Sequence, residues 1–73
     1  MREWLKDLRH EKHMTMKELA AKIGVAECTV CLWEQGSRGM KVDTLARIAR
    51  ATGTKPLTLL QSEISFLEQS QKH

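Results

Sequence analysis

The sequence has little of what disulfide-rich, membrane and β-sheet proteins require. It contains two cysteines, one proline, one phenylalanine and no tyrosine among 73 residues. Two cysteines are too few for a disulfide framework, so we expect reduced thiols and a cytoplasmic protein. The charged first residues lack the apolar run of a signal peptide, and no apolar run approaches the roughly 20 residues that cross a bilayer. The composition that remains favours helices.

The chain also lacks the residue sets that support catalysis. One domain of 73 residues leaves no room for a sizeable pocket. The sequence contains no nucleophile with a base and an orienting partner, no glycine-rich phosphate loop and no paired carboxylates in an apolar run. We therefore expect no enzyme activity, no cofactor and no small-molecule ligand.

The two cysteines, Cys28 and Cys31, form a Cys-x-x-Cys pair, a spacing that can bind metal or sense oxidation. A structural zinc site needs four ligands, and His10, His13 and His73 supply no second pair at ligand spacing. We expect no metal, and we interpret the thiols as small, near-neutral residues at an interface.

The net charge of +3 is unevenly distributed along the chain. Residues 1–24 contain six basic and four acidic side chains, and residues 37–57 contain five basic and one acidic. Residues 25–36 contain two acidic side chains and no basic one. Positive charge therefore flanks a segment that has none, a distribution that mildly favours an anionic partner.

Apolar periodicity and end signals predict a short helical pair in the first half of the chain. A first amphipathic helix covers about residues 2–12. Thr15 and Glu18 have the spacing of a capping box, so the second helix should start at Met16. Gly24 should end that helix in the left-handed conformation.

Three more helices are predicted after this turn. The third ends at Gly36, the fourth ends at Gly53, and the fifth begins at Pro56. Their apolar positions are Val30 and Trp33 in the third helix, Val42, Leu45, Ile48 and Ala49 in the fourth, and Leu57, Leu60, Ile64 and Leu67 in the fifth. We divide the chain into a domain at residues 1–62 and a C-terminal helical extension or tail at residues 63–73.

The order of capping box, apolar face, glycine turn and second short helix is typical of a helix-turn-helix, in which the second helix enters the major groove. The small Ala20 allows the two helices to cross closely. Over about residues 5–60 the chain resembles the Cro and CI phage repressors, or XRE family. The resemblance is carried by Leu8, Arg9, Met14–Ala20, Ile23–Val25, Thr29, Val30, Trp33–Gly36, Thr44, Leu45, Ile48, Ala49 and Gly53.

The resemblance implies an all-α, five-helix, lambda-repressor-like bundle. It also implies a small transcription regulator, of phage or mobile-element type, that acts on double-stranded promoter DNA. Arg9 and Glu34 would form an ion pair that locks the third helix against the first, the alternative being two solvated surface charges. Loss of a buried pair's partner strands one charge and costs about 3 to 5 kcal/mol.

The residues at the expected base-reading positions depart from the family pattern. Base edges are read by Arg, Lys, Asn, Gln, Asp or Glu, whereas the matching exposed positions here are Glu27, Cys28, Cys31 and Leu32. Met16 replaces the usual polar residue that opens the second helix. One interpretation is a DNA reader in which Glu27 accepts from cytosine while the leucine and thiols touch thymine methyl groups.

Contacts to the DNA backbone are expected elsewhere. Ala26 stands where Ser or Thr often caps the third helix and touches phosphate, which weakens the helix start by about 1 kcal/mol. The residues expected to contact the backbone are Lys17, Lys22, Ser37, Arg38 and Lys41. The alternative for this set is an ordinary solvated surface.

A second interpretation is that Met16, Cys28, Cys31 and Leu32 form an apolar patch for a protein partner. The protein would then be an antirepressor that covers the DNA-binding surface of a cognate repressor. Glu27 would suit this role by repelling phosphate and by pairing with a basic residue of the partner.

The C-terminal segment also leaves two interpretations open. Ile64, Phe66 and Leu67 suggest a helical extension with an apolar side. This side either packs onto the first helix or forms a homodimer contact. A dimer would suit a protein that reads paired half-sites about 34 Å apart.

Overall fold

The computed structural model describes residues 1–70 and is helical in every regular element of that range. Five helices follow one another along the chain: α1 (Glu3–Glu11), α2 (Met16–Ile23), α3 (Glu27–Gln35), α4 (Val42–Thr52) and α5 (Pro56–Ser70). The prediction of an all-α, five-helix bundle is confirmed. Within the described residues, no helix is long and apolar enough to span a membrane.

The ends of the central helices follow the predicted signals. The Thr15 hydroxyl accepts from the Glu18 amide at 3.1 Å, and the Glu18 carboxylate accepts from the Thr15 amide at 3.0 Å. These two bonds satisfy amides that the first turn of α2 would leave without partners. Gly24 and Gly36 end α2 and α3 with φ angles of 75° and 80°.

The core lies where all five helices converge. Leu5, Leu19, Val30 and Ile48 are fully shielded from solvent, one from each of the first four helices. Met14, in the turn after α1, is buried as expected. The remaining core residues are Leu8, Ala20, Ile23, Trp33, Leu45, Ala49 and Leu59. This core fixes the crossing of α2 and α3, which positions the face described below.

The inward face of α4 begins one turn later than predicted. Val42, the first residue of the helix, is 70 % exposed, so its assignment to the apolar face was wrong. Leu45, Ile48 and Ala49 are buried as predicted, and Thr52 completes the face. Thr52 tolerates burial because its hydroxyl donates to the Ile48 carbonyl at 2.8 Å.

Helix α5 buries a different face from the one its apolar spacing indicates. Leu57, Ile64 and Leu67 are exposed, whereas Leu59 and Glu63 are buried. Leu60, from the predicted stripe, is half-buried against the core. A helix of 15 residues can carry two separate rows of side chains that could face the core. The row that is buried here includes the carboxylate of Glu63. The helix passes from residue 62 to residue 63 without a break. Residues 71–73 of the proposed tail, including His73, lie outside the described residues.

Candidate nucleic-acid interface

Helices α2 and α3 meet through a short turn whose geometry fixes the angle between them. The Val25 amide donates to the Ala20 carbonyl at 3.0 Å, which closes the turn behind Gly24. Ala20 is 2 % exposed, so a larger side chain would have no space there. The buried side of α3 carries Val30, Trp33 and Glu34, and the opposite side of the helix faces solvent.

Arg9 holds α3 against α1 through a bidentate contact. Its Nε donates to Glu34 Oε2 at 2.7 Å and its Nη2 donates to Glu34 Oε1 at 3.2 Å. Nη1 donates to the Met14 carbonyl at 2.9 Å. The hydrogen bonds to Glu34, aided by its charge, raise the pKa of Arg9 above its ordinary value, while burial acts in the opposite direction. The geometry is that of a buried, hydrogen-bonded pair, the arrangement that the resemblance implied.

A second buried arginine, which no sequence pattern indicates, also contacts the C-terminal part of α3. Arg2 donates from Nε and Nη2 to the two carboxylate oxygens of Glu63, at 2.7 and 2.8 Å. Its Nη1 donates to the Trp33 carbonyl at 2.6 Å and to the Arg38 carbonyl at 3.0 Å. The guanidinium also lies 4.7 Å from the centre of the Phe66 ring.

The outward side of α3 presents the predicted reading positions to solvent. Glu27 and Cys28 are exposed, and Cys31 and Leu32 are half-buried. Ala26 occupies the N-cap position of α3, where it has no side-chain group to accept from the first turn. The face therefore combines one carboxylate with soft apolar groups.

Gln35 belongs to the same face and was not among the predicted site residues. It is exposed, and its Nε2 donates to Cys31 Sγ at 3.4 Å. Residues four and seven positions apart share a helix face, so the sequence already places Gln35 beside Cys31 and Cys28. A glutamine amide is able to pair with adenine in the major groove. Gln35 is therefore a second exposed polar side chain on this face, beside Glu27.

The loop after α3 presents the predicted backbone-contacting residues Ser37, Arg38 and Lys41, all of which are exposed. Lys17 is exposed at the start of α2, and Met16 beside it is half-buried. Along the chain, Lys17 comes before α3, and Ser37, Arg38 and Lys41 come after it. The arrangement matches a recognition helix with positive charge before and after it.

Lys22 lies on a different side of the bundle. Five residues separate it from Lys17, which corresponds to about 140° around the axis of α2. Lys22 lines a cleft of about 400 Å³ between α2 and α4 together with Arg47 and Arg50. The two lysines therefore do not share a face. Arg47 and Arg50 were not among the predicted site residues.

The cysteine pair stands alone as a potential ligand set. Cys28 and Cys31 are free thiols on the outward side of α3. Among residues 1–70, no group of three or more His, Cys, Asp or Glu side chains is placed to hold a metal ion.

Two short helices with a tight glycine turn, and an outward second helix braced by a buried ion pair, define a helix-turn-helix DNA-binding domain. The comparison with family models agrees. Residues 4–63 match the model of the Cro/C1-type HTH DNA-binding domain, and the chain belongs to this family. No match to the chain is found among curated proteins.

Proposed function

We propose that the protein is a small transcription regulator that binds promoter DNA with α3 in the major groove. The observation that carries the proposal is the outward side of α3, which presents Gln35, Glu27 and Leu32. Along the chain, exposed Lys17 precedes this helix and exposed Arg38 and Lys41 follow it. Membership of a family of DNA-binding domains supports it. The resemblance to phage repressors supports an origin in a phage or mobile element.

The proposal divides the side chains into two classes. Arg38 and Lys41 contact phosphate, so each contributes affinity for any duplex. Gln35 and Glu27 contact base edges, so each contributes discrimination, which is worth about 1 to 3 kcal/mol for a good pair.

Alanine variants test this division. We expect Arg38→Ala and Lys41→Ala to weaken binding to all duplexes alike and to lower the salt dependence by about one ion each. We expect Gln35→Ala to relax the preference at one base pair. Arg50→Ala is the matched control, because it removes the same charge from the cleft between α2 and α4. Equal losses from Arg50→Ala and Arg38→Ala would contradict the proposal.

A second candidate function is an antirepressor that binds a cognate repressor. The observation that favours it is the soft apolar character of Met16, Cys28, Cys31 and Leu32, all at least partly accessible to solvent. Glu27 among them is exposed and repels phosphate while attracting the basic face of a repressor.

Glu27→Lys separates the two functions, because it should strengthen binding to DNA and weaken binding to a repressor. For a DNA reader, the change removes a repulsion and strengthens binding to random duplex. For an antirepressor, it introduces a like charge against the repressor's basic face and weakens that complex. The two measurements are binding of the variant to duplex DNA and release of the repressor encoded at the same locus from its operator.

We further propose that two copies associate through α5. Ile64 and Leu67 are 46 % and 44 % exposed, and Leu57 is 64 % exposed on the same stripe. A symmetric pair would present two recognition helices to paired half-sites. Truncation at residue 63 is unsuitable as a test, because it removes the buried partner of Arg2.

The test of the dimer uses surface substitutions instead. Ile64→Lys with Leu67→Lys should give a monomer in sedimentation equilibrium at concentrations where the natural chain is dimeric. Gln61→Lys with Ser65→Lys, both exposed elsewhere on the same helix, controls for the two added charges. Equal masses for the natural chain and the double variant would contradict a dimer through this stripe.

A further inference from the structure

The loop that connects α3 to α4 has few contacts that define its backbone. In residues 37–40, the hydrogen bonds of the described structure are Ser37 N–H to the Leu32 carbonyl, at 3.0 Å, and Arg2 Nη1 to the Arg38 carbonyl, at 3.0 Å. Gly39 is exposed, and a Cβ added there would meet no heavy atom within 4 Å. Met40 packs against the core at the far end. Between these points, Arg2 is the group that fixes the chain.

The Arg2 side chain is itself held in one orientation. It is 1 % exposed, and both carboxylate oxygens of Glu63 accept from it. Glu63 also accepts from Trp4 Nε1 at 3.0 Å, which fixes the carboxylate in turn. The remaining edge of the guanidinium points at the carbonyls of Trp33, near the end of α3, and of Arg38, in the loop. A planar fork with five donors is suited to this double contact.

We propose that Arg2, oriented by Glu63, is a positioning residue of the DNA interface. It holds the Ser37–Lys41 loop against the end of α3, in the conformation from which Ser37, Arg38 and Lys41 reach phosphate. A loop that is ordered before binding loses less conformational entropy when it binds. The part of this inference that concerns DNA rests on the proposed function; the part that concerns loop order does not.

The informative variant removes the pair without stranding a charge. A buried ion pair replaced on both sides by apolar residues of similar volume is often neutral for stability, whereas removal of one partner is not. We therefore choose Arg2→Met with Glu63→Met, which leaves the net charge unchanged. The Trp33 carbonyl keeps its bond from Gly36 N–H at 3.0 Å, so α3 retains its end. The double variant removes the contact to the loop and also the bond from Trp4 Nε1 to Glu63 and the contact of Arg2 with the Phe66 ring.

The first readout is backbone mobility from ¹⁵N relaxation, without DNA. We expect order parameters of the 37–41 amides to fall below about 0.6 in the double variant, while those of α3 remain near 0.85. Trp4→Phe is the control, because it removes a bond to Glu63 and touches no loop residue. If the double variant fails to fold, Arg2→Lys replaces it, since an ammonium keeps the charge but lacks the planar fork. An ordered loop in the variant that folds would overturn the proposal.

The second readout is affinity for DNA. We expect the double variant to bind about tenfold more weakly than the natural chain, with an unchanged melting midpoint. Unchanged affinity together with a mobile loop would overturn the role in binding. If the natural chain binds no duplex, the proposed function fails, while the relaxation experiment still decides whether Arg2 orders the loop.

Discussion

Arg9 Nε lies 2.7 Å from Glu34 Oε2, and this contact joins α1 to the recognition helix 25 residues further along the chain. Both side chains are buried, and Nη1 of Arg9 donates to the Met14 carbonyl. The pair therefore joins α3 to α1 directly. A displaced α3 would carry Glu27, Leu32 and Gln35 with it.

Arg9→Ala should destabilise the fold by about 3 to 5 kcal/mol, because it leaves the Glu34 carboxylate buried without a partner. For a domain of this size, such a loss of stability lowers the melting temperature by more than roughly 10 °C. Thermal unfolding followed by circular dichroism at 222 nm measures the shift. Lys12→Ala, an exposed change nearby, should leave the midpoint almost unchanged. An unchanged midpoint for Arg9→Ala would show that the pair contributes nothing.

The capping box predicts a dependence of stability on acid. Hydrogen bonds from the Thr15 amide and hydroxyl lower the pKa of Glu18 below its ordinary value of 4.5. A carboxyl group with a lowered pKa in the folded state stabilises the fold above its unfolded pKa, and this contribution is lost as the pH falls through the folded value. Stability should therefore decrease below about pH 4.5, partly through Glu18.

Glu18→Gln isolates this contribution, because glutamine retains the capping geometry and does not titrate in this range. The midpoint of the variant should decrease less between about pH 5 and pH 3 than that of the natural chain. Parallel midpoints at both pH values would exclude Glu18 as a source of the acid sensitivity.

The two glycines that end α2 and α3 should differ in their tolerance of a side chain. Both have positive φ, so alanine is strained at either position, by roughly 1 to 2 kcal/mol. At Gly24 a Cβ has open space, whereas at Gly36 it would lie 3.0 Å from Cζ of Phe66. Gly36→Ala should therefore be the more destabilising in urea unfolding. A larger effect at Gly24 would contradict the packing of α5 over the end of α3.

Ala26→Ser should strengthen the start of the recognition helix. The N-cap position has extended backbone angles and no side-chain bond to the first turn of α3. A serine hydroxyl there accepts from a free amide and stabilises the fold by about 0.5 to 2 kcal/mol. Ala21→Ser, an exposed change within α2, should be neutral or slightly destabilising. Equal midpoints for the two variants would show that the cap position is already satisfied.

The local signals in the sequence predicted much of the fold. The capping box of Thr15 and Glu18 and the left-handed Gly36 each involve only a few neighbouring residues. Such local signals locate the ends of helices without knowledge of the tertiary structure. Gln35 was also within reach of such reasoning, since it lies one turn after Cys31.

The contact of Arg2 with Glu63 was beyond that reasoning. The two residues are 61 positions apart, and charged residues near the ends of a chain are ordinarily solvated. The same contact decides which face of α5 is buried: Glu63 lies in the core because a buried arginine requires a carboxylate, and the apolar stripe with Leu57 and Ile64 is exposed. Tertiary packing decided between two possible faces.

The most direct test of the central claim is a fluorescence-anisotropy titration of the natural chain. The two probes are promoter DNA from its own locus and a random duplex, each at about 50 and 200 mM salt. We expect tighter binding to the promoter, with affinity that falls steeply as salt increases. Failure to bind either duplex at about 50 mM salt would contradict the claim that this domain binds DNA, and would direct attention to a repressor as its partner.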